Sequence, residues 1–302
     1  SYQPGYLGEL GLNYNKLNEI NPRLIMASIT AFGQSGPYKN HKADDMVISA
    51  MGGQIYASGE PESPPLKPYG HQTYYSGGLF AAIGISLAIW ARHTTKKGQY
   101  IDISLEECAA ATLDHVLVRY LYQGEIAKRQ GSLHWNKTFR IFPCKDGYIL
   151  LSLFQQWPTL VEWLDSEGMA QDLTDKKWLD KDKRIEQIDH IIEVLEQWTR
   201  SHTTSELVEK GQLMRFPWAK ITSIPELMNN PQLKERNFFI NVEQMETGKT
   251  FKLPGLPYQL NNSPRNKSKH IPSTGEHNMK IYHEELGLSK QEIETLIKQG
   301  II

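Results

Sequence analysis

NPRLIMASITAFGQSGPY, residues 21–38, sets a mostly apolar run (24–30, LIMASIT) directly before a glycine-rich loop (32–38). An apolar run of that length suits a buried strand of a parallel sheet. In an open α/β sheet, the loop at such a strand's carboxyl end is where ligands bind. Upstream, residues 12–20 have helical spacing, which Asn21 and Pro22 stop. Downstream, residues 44–51 predict a short helix opened by two acids that suit the positive end of its dipole. Residues 60–68 carry Pro61, Pro64, Pro65 and Pro68 and must be an extended loop. Residues 76–93 predict a long helix, apolar on nearly every side and therefore buried. Gly77, Gly78 and Gly84 let other backbone approach it. Lys96, Lys97 and Gly98 end the connection, and residues 99–105 (QYIDISL) alternate like a strand. Residues 106–122 predict another helix, with Glu106 and Glu107 complementing its dipole. Helix, strand, helix in that order argues for an α/β domain.

The texture changes near Gly131. Residues 138–143 and 148–153 flank Lys145, Asp146 and Gly147, a strong hairpin signal. Helical stretches follow at 158–167 and 183–201, the second after a charged linker from Asp172. Residues 239–242 and 250–253 flank Thr247 and Gly248, a second hairpin. The expected organisation is a large α/β domain over 1–130, a smaller α+β domain over 131–257, and a C-terminal return to the large domain over 258–302. The last eleven residues read as a closing helix with Gly300 as its stop and as a natural terminus. Residues 1–5 (SYQPG) read instead as the interior of a longer protein.

With 302 residues, 39% hydrophobic and 22% charged, the chain can build a core and is not disordered. A net charge of −1 is not the footprint of a nucleic-acid binder. Arg265, Lys267 and Lys269 form a small basic cluster that reads as a solvated loop. Only two cysteines are present, Cys108 and Cys144, so a disulfide framework is not expected and a reducing cytoplasm is. The longest apolar run, 77–90, falls short of the roughly 18–20 residues a membrane span needs. No signal peptide opens the chain.

Three segments carry a family resemblance. Residues 21–38 resemble the pattern NP-x-L-I…S-I-T-x-F-G-Q-x-G-P-Y. Residues 88–107 (AIWARHTTKKGQYIDISLEE) resemble A-L…R…T-G-x-G-Q-x-V-D-V-S-L-x-E. Residues 274–287 (TGEHNMKIYHEELG) resemble GEHN…I…ELG. In this order and at this spacing they are highly specific, and the chain resembles the family III CoA-transferases (the CaiB/BaiF type, with the formyl-CoA, carnitine and benzylsuccinate enzymes). The resemblance implies a Rossmann-like large domain made from both ends of the chain, with a small domain inserted, and further residues ahead of Ser1 that complete the large domain. It implies interlocked dimers, coenzyme A or acyl-CoA as substrate with no permanently bound cofactor, and a carboxylic acid as acceptor. In that family an aspartate at the start of the long helix attacks the thioester and forms a mixed anhydride. CoA thiolate attacks the aspartyl carbonyl, and the acceptor acid later reverses the path, which is nucleophilic catalysis.

Counting through residues 65–78 (PLKPYGHQTYYSGG) places that aspartate position on Tyr74. No Asp or Glu lies between Glu62 and Asp102, so no small register slip recovers a carboxylate. A phenol with a pKa of about 10 is barely ionised at neutral pH, and an aryl ester is not the anhydride that the exchange uses. His71 reads either as a residue capping or lining the loop or as a nucleophile or base. The segment GHQTYYSGG is similar to an aspartate-free branch of the family, whose members pair with an aspartate-bearing chain. The resemblance therefore leaves two readings, a CoA-transferase acting by itself and the non-catalytic subunit of a heteromeric one. It also carries CoA contacts onto Tyr2, Tyr6 and Leu10, and onto Lys42 near the phosphates, although an exposed loop lysine would equally explain the last. Glu9 stands where many members carry an arginine, and its charge would repel phosphate. Phe32, Gly33 and Gln34 form the active-site loop. His270, Glu276, His277 and His283 fit no standard metal-ligand spacing. A hydrolase reading lacks the G-x-S-x-G elbow, and the related racemases would need the same absent aspartate.

Overall fold

The computed structural model describes residues 1–244, 247–262 and 270–302. The basic residues at 265, 267 and 269 therefore lie outside the described residues. The chain divides into two compact units, Ser1–Lys220 and Ile221–Ile302. These boundaries do not coincide with the expected ones after residues 130 and 257.

In the first unit, helices α1 (Tyr6–Glu9) and α2 (Tyr14–Ile20) precede strand β1 (Met26–Thr30). Helices α3 (Asp45–Met51), α4 (Gln54–Ala57) and α5 (Gln72–Thr95) then lead to β2 (Tyr100–Ser104). The two strands run parallel, with Met26 opposite Tyr100 and Thr30 opposite Ser104. The expected parallel pair is present, but β1 is only half-buried until Thr30, because among the described residues its sheet has just two strands. Contacts between the two motif segments explain their sequences. A Cβ on Gly98 would stand 1.8 Å from the Leu24 carbonyl oxygen, and the Gly98 amide donates to the Pro22 carbonyl at 2.8 Å. Only glycine fits there. The Gln34 amide donates to the Asp102 carboxylate at 2.9 Å, fixing the loop after β1, where Gly33 holds a φ of +80°.

Helix α5 corrects the expectation of burial on every side. Its buried residues are Thr73, Gly77, Ala81 and Ala88, a single narrow stripe. Leu79, Phe80, Ile83, Leu87 and Trp90 are exposed. Small side chains face inward because the packing is tight: a Cβ on Gly77 would meet Leu105 Cδ2 at 2.1 Å. The whole helix is long and apolar enough to cross a bilayer by length and composition, unlike the shorter run counted from the sequence.

The helix expected over 106–122 is two, α6 (Leu105–Ala111) and α7 (Asp114–Gln123). The break falls at Thr112, whose hydroxyl donates to the Ala109 carbonyl and accepts from Gln54. Side-chain bonds of this kind compete with the helical ladder. Ser104 caps α6 by accepting from the Glu107 amide, with Glu106 and Glu107 in the first turn as expected.

The predicted hairpin follows as β3 (Phe139–Cys144) and β4 (Gly147–Ser152), paired antiparallel with Cys144 opposite Gly147. Helix α8 (Trp157–Ser166) agrees with expectation, whereas the helix expected over 183–201 is α9 (Lys181–Glu186) plus α10 (Ile188–Arg200). They part at Gln187, whose backbone leaves helical geometry. Helix α11 (Thr204–Leu213) and a short β5 (Ala219–Lys220) beside β4 complete the unit. Trp157, Trp163, Trp178, Trp198 and Trp218 share its largest core. The Glu167 carboxylate accepts from the indoles of Trp163 and Trp198, so those buried donors are not orphaned.

The second unit contains α12 (Ile224–Asn229), α13 (Pro231–Glu235) and the predicted second hairpin, β6 (Phe239–Gln244) with β7 (Lys249–Pro254). A short β8 (His270–Ile271) lies parallel to β6 on its other edge. A π-helix (Met279–Glu285) and α14 (Lys290–Lys298) follow.

Candidate functional site

A cavity of about 480 Å³ opens beside the first turns of α5. Tyr2, Lys42 and Tyr74, three residues singled out from the sequence, meet in its lining. Lys39 and His41 join them, giving one wall a concentration of cationic and potentially cationic groups. Sequence reading passed over both, although their position three and one residues before Lys42 was a usable signal. The apolar wall comes from Ile29, Ile48 and Leu105. Among the described residues, no Asp or Glu lines this cavity.

The other expected site residues stand back from it. Tyr6 and Leu10 are exposed outside the lining, and Tyr6 stacks on Tyr2 with ring centres 5.0 Å apart. Phe32 is buried behind the wall, edge-on to Tyr38 and His41. Gly33 and Gln34 shape the loop through Asp102 rather than lining the cavity. His71 is the N-cap residue of α5, but its side chain makes no capping bond. It stacks on the Tyr74 ring at 5.6 Å and 15°. Among the described residues, no three His, Cys, Asp or Glu side chains gather as a metal site.

The turn that carries Tyr74 is anchored by a group that sequence reading did not assign to the site. Asp45, the first residue of α3, is 3% exposed. Its Oδ1 accepts from the Thr73 amide at 3.0 Å and from the Thr73 hydroxyl at 2.6 Å. Lys67 Nζ lies 2.8 Å from its Oδ2, an ionic contact rather than a well-directed hydrogen bond. Lys67 also donates to the carbonyls of Pro68 and Gly70. Burial by itself would raise the Asp45 carboxyl, but the Lys67 ammonium beside it and the hydrogen bonds from Thr73 outweigh it and hold the group below the usual carboxylate range. Asp45 lies outside residues 62–102 and reaches position 73 only through space. Its only trace in the sequence was the pair of acids opening a helix.

A larger cleft of about 1450 Å³ lies along another side of the same helix, lined by Gln72, Tyr75, Ser76 and Leu79 together with α7 and residues 125–135. Tyr74 and Gly78 face the smaller cavity. The start of α5 thus presents different residues to two spaces, and the cationic wall with position 74 belongs to the smaller.

Comparison with known proteins identifies the family. The profile of CoA-transferase family III matches residues 1–278. The succinyl-CoA:(R)-benzylsuccinate CoA-transferase subunit BbsE of Thauera aromatica is 30% identical across all of this chain and 75% of its own length. The succinyl-CoA–L-malate CoA-transferase beta subunit of Chloroflexus aurantiacus is 27% identical, again across the whole chain and 75% of its own. Human succinyl-CoA:glutarate CoA-transferase is 27% identical, with 69% of its length covered. A CaiB/BaiF family protein from Brucella suis superimposes with a TM-score of 0.82 over 94% of this chain and 73% of that one, at 27% identity. The fold is that of CaiB/BaiF family proteins. The chain belongs to CoA-transferase family III, and CoA transfer is the general activity of the relatives that it matches.

Proposed function

We propose that this chain is the carboxylate-free subunit of a heteromeric family III CoA-transferase. It holds CoA in the cavity beside α5 and works with a homologous chain that bears an aspartate at the position of Tyr74. The observation that supports the reading is the lining: Tyr74, which counting along the sequence aligns with the family's aspartate, faces the cavity, and among the described residues no acid side chain lines it. The neighbouring carboxylate, Asp45, is buried, held by Thr73 and Lys67, and outside the lining. A carboxylate so engaged is not free to attack a thioester. Two of the relatives are themselves named as subunits, which favours a two-chain enzyme over a chain acting by itself.

In this reading Lys42, with Lys39 and His41, faces the CoA phosphates, where cations suit the charge. Tyr2 offers an aromatic face to the nucleotide. Acyl transfer to and from a carboxylic acid proceeds through the partner's anhydride, in an interlocked dimer or a heteromer within the cytoplasm. The test is activity with succinyl-CoA and a panel of dicarboxylic acids, for the chain alone and co-purified with a co-encoded homologue. The proposal expects CoA binding by the lone chain and turnover only by the pair. A hydroxylamine-sensitive acyl adduct on the lone chain, at any carboxylate, would overturn it in favour of a self-sufficient transferase.

A further inference from the structure

Helix α5 starts without a cap of its own, since the His71 side chain accepts nothing from its first turn. The free amide at Thr73 is instead met by Asp45, 28 residues earlier in the chain. The same oxygen receives the Thr73 hydroxyl. The other oxygen pairs with Lys67, which also gathers the Pro68 and Gly70 carbonyls of the approaching loop. Thr73 is fully buried, so these bonds are shielded from competing water.

We infer that Asp45, backed by Lys67, is a positioning residue that caps α5 from the neighbouring helix and thereby fixes where residue 74 points in the cavity. Three contacts define this role. The charge-assisted bonds to Thr73 set the height and rotation of the first turn. The Lys67 pair neutralises the buried carboxylate, which would otherwise be costly to hold there. Lys67's bonds to loop carbonyls fix the direction from which the chain enters the helix. Residue 74 follows Thr73 directly, so its Cα has little freedom once Thr73 is pinned. The inference rests on the proposed function only in taking the CoA sulfur to approach residue 74.

The test uses a chemical ruler. A Tyr74→Cys chain is mixed with the disulfide of CoA and 2-thiopyridine. The introduced thiolate attacks the CoA sulfur, forms a protein–CoA disulfide and expels pyridine-2-thione, which takes up the proton and is read by its absorbance. The chain retaining Tyr74 serves as the control for Cys108 and Cys144. Capture is then timed after adding Asp45→Asn or, separately, Thr73→Val, which keeps the backbone bond and removes only the hydroxyl. The expected result is roughly tenfold slower capture, as loss of one charge-assisted bond predicts, with the CoA dissociation constant unchanged. Unchanged capture rates in folded Asp45→Asn and Thr73→Val chains would overturn the positioning role, as would a fall matched by weaker CoA binding. No capture even with Asp45 and Thr73 intact would count instead against the CoA site itself.

Discussion

At residue 74, on the proposed reading, a single side chain separates an acyl-exchange scaffold from an acyl-exchange enzyme. Tyr74→Asp should place a carboxylate in the cavity, with Lys42 and the helix start around it. The expected outcome is an acyl adduct at residue 74 on incubation with acyl-CoA, trapped by hydroxylamine and mapped by mass spectrometry, where the natural chain gives none. Lys42→Met should weaken CoA binding about tenfold, the usual scale of one charged phosphate contact; calorimetric titration would measure it. Lys67→Met leaves the buried Asp45 charge without its cation, and unfolding in urea should show a loss of about 3 kcal/mol. How much of this was readable in advance follows from geometry. Tyr74, Lys42 and Tyr2, which line one cavity, could be singled out because each sits in, or is counted from, a segment with recognisable spacing. Asp45 could not, because its role depends on a contact between two helices that no local pattern encodes. Lys39 and His41 were simply overshadowed by Lys42.

Element by element, local signals succeeded where one segment determines its own structure and failed where a second segment intervenes. Both hairpins formed around the turns that their sequences specify. The helix expected over 106–122 broke where Gln54, from another element, bonds to Thr112. Helix α11 went unread although Thr203 and Glu206 form a capping box at its start. Close packing makes further predictions here. A methyl group on Gly77 would collide with Leu105, so Gly77→Ala should cost about 1–3 kcal/mol, measurable by thermal unfolding. Asp172 sits between Lys177 and His190. Burial pushes its carboxyl up, but bonds from Lys177 and His190 prevail and bring it down to about 2. A depressed carboxylate stabilises the fold above its unfolded pKa of about 4 and loses that contribution as pH falls toward 2. Carbon-detected NMR titration should find the Asp172 transition in that window, and Asp172→Asn should flatten the acid limb of the stability curve between pH 4 and 2.

For the whole molecule, the order of expected elements pointed to the class, a mixed α/β protein, and the ordered motifs to the family. What composition misjudged was α5. Apolar content all round suggested burial, yet the helix packs through glycine and alanine and turns Leu79, Leu87 and Trp90 outward. Hydrophobicity registers that a surface avoids water but not which surface covers it. The two-stranded parallel sheet repeats the lesson, since its apolar strand is only half covered. The cap that α5 borrows from α3 has an effect on how the chain acquires its shape. A peptide spanning only residues 72–95 should fray from its leading turn, because the acceptor that ends the fraying is carried by a different stretch of chain. The two helices must therefore order together, and any tremor in the first reaches the second at the turn that carries Tyr74.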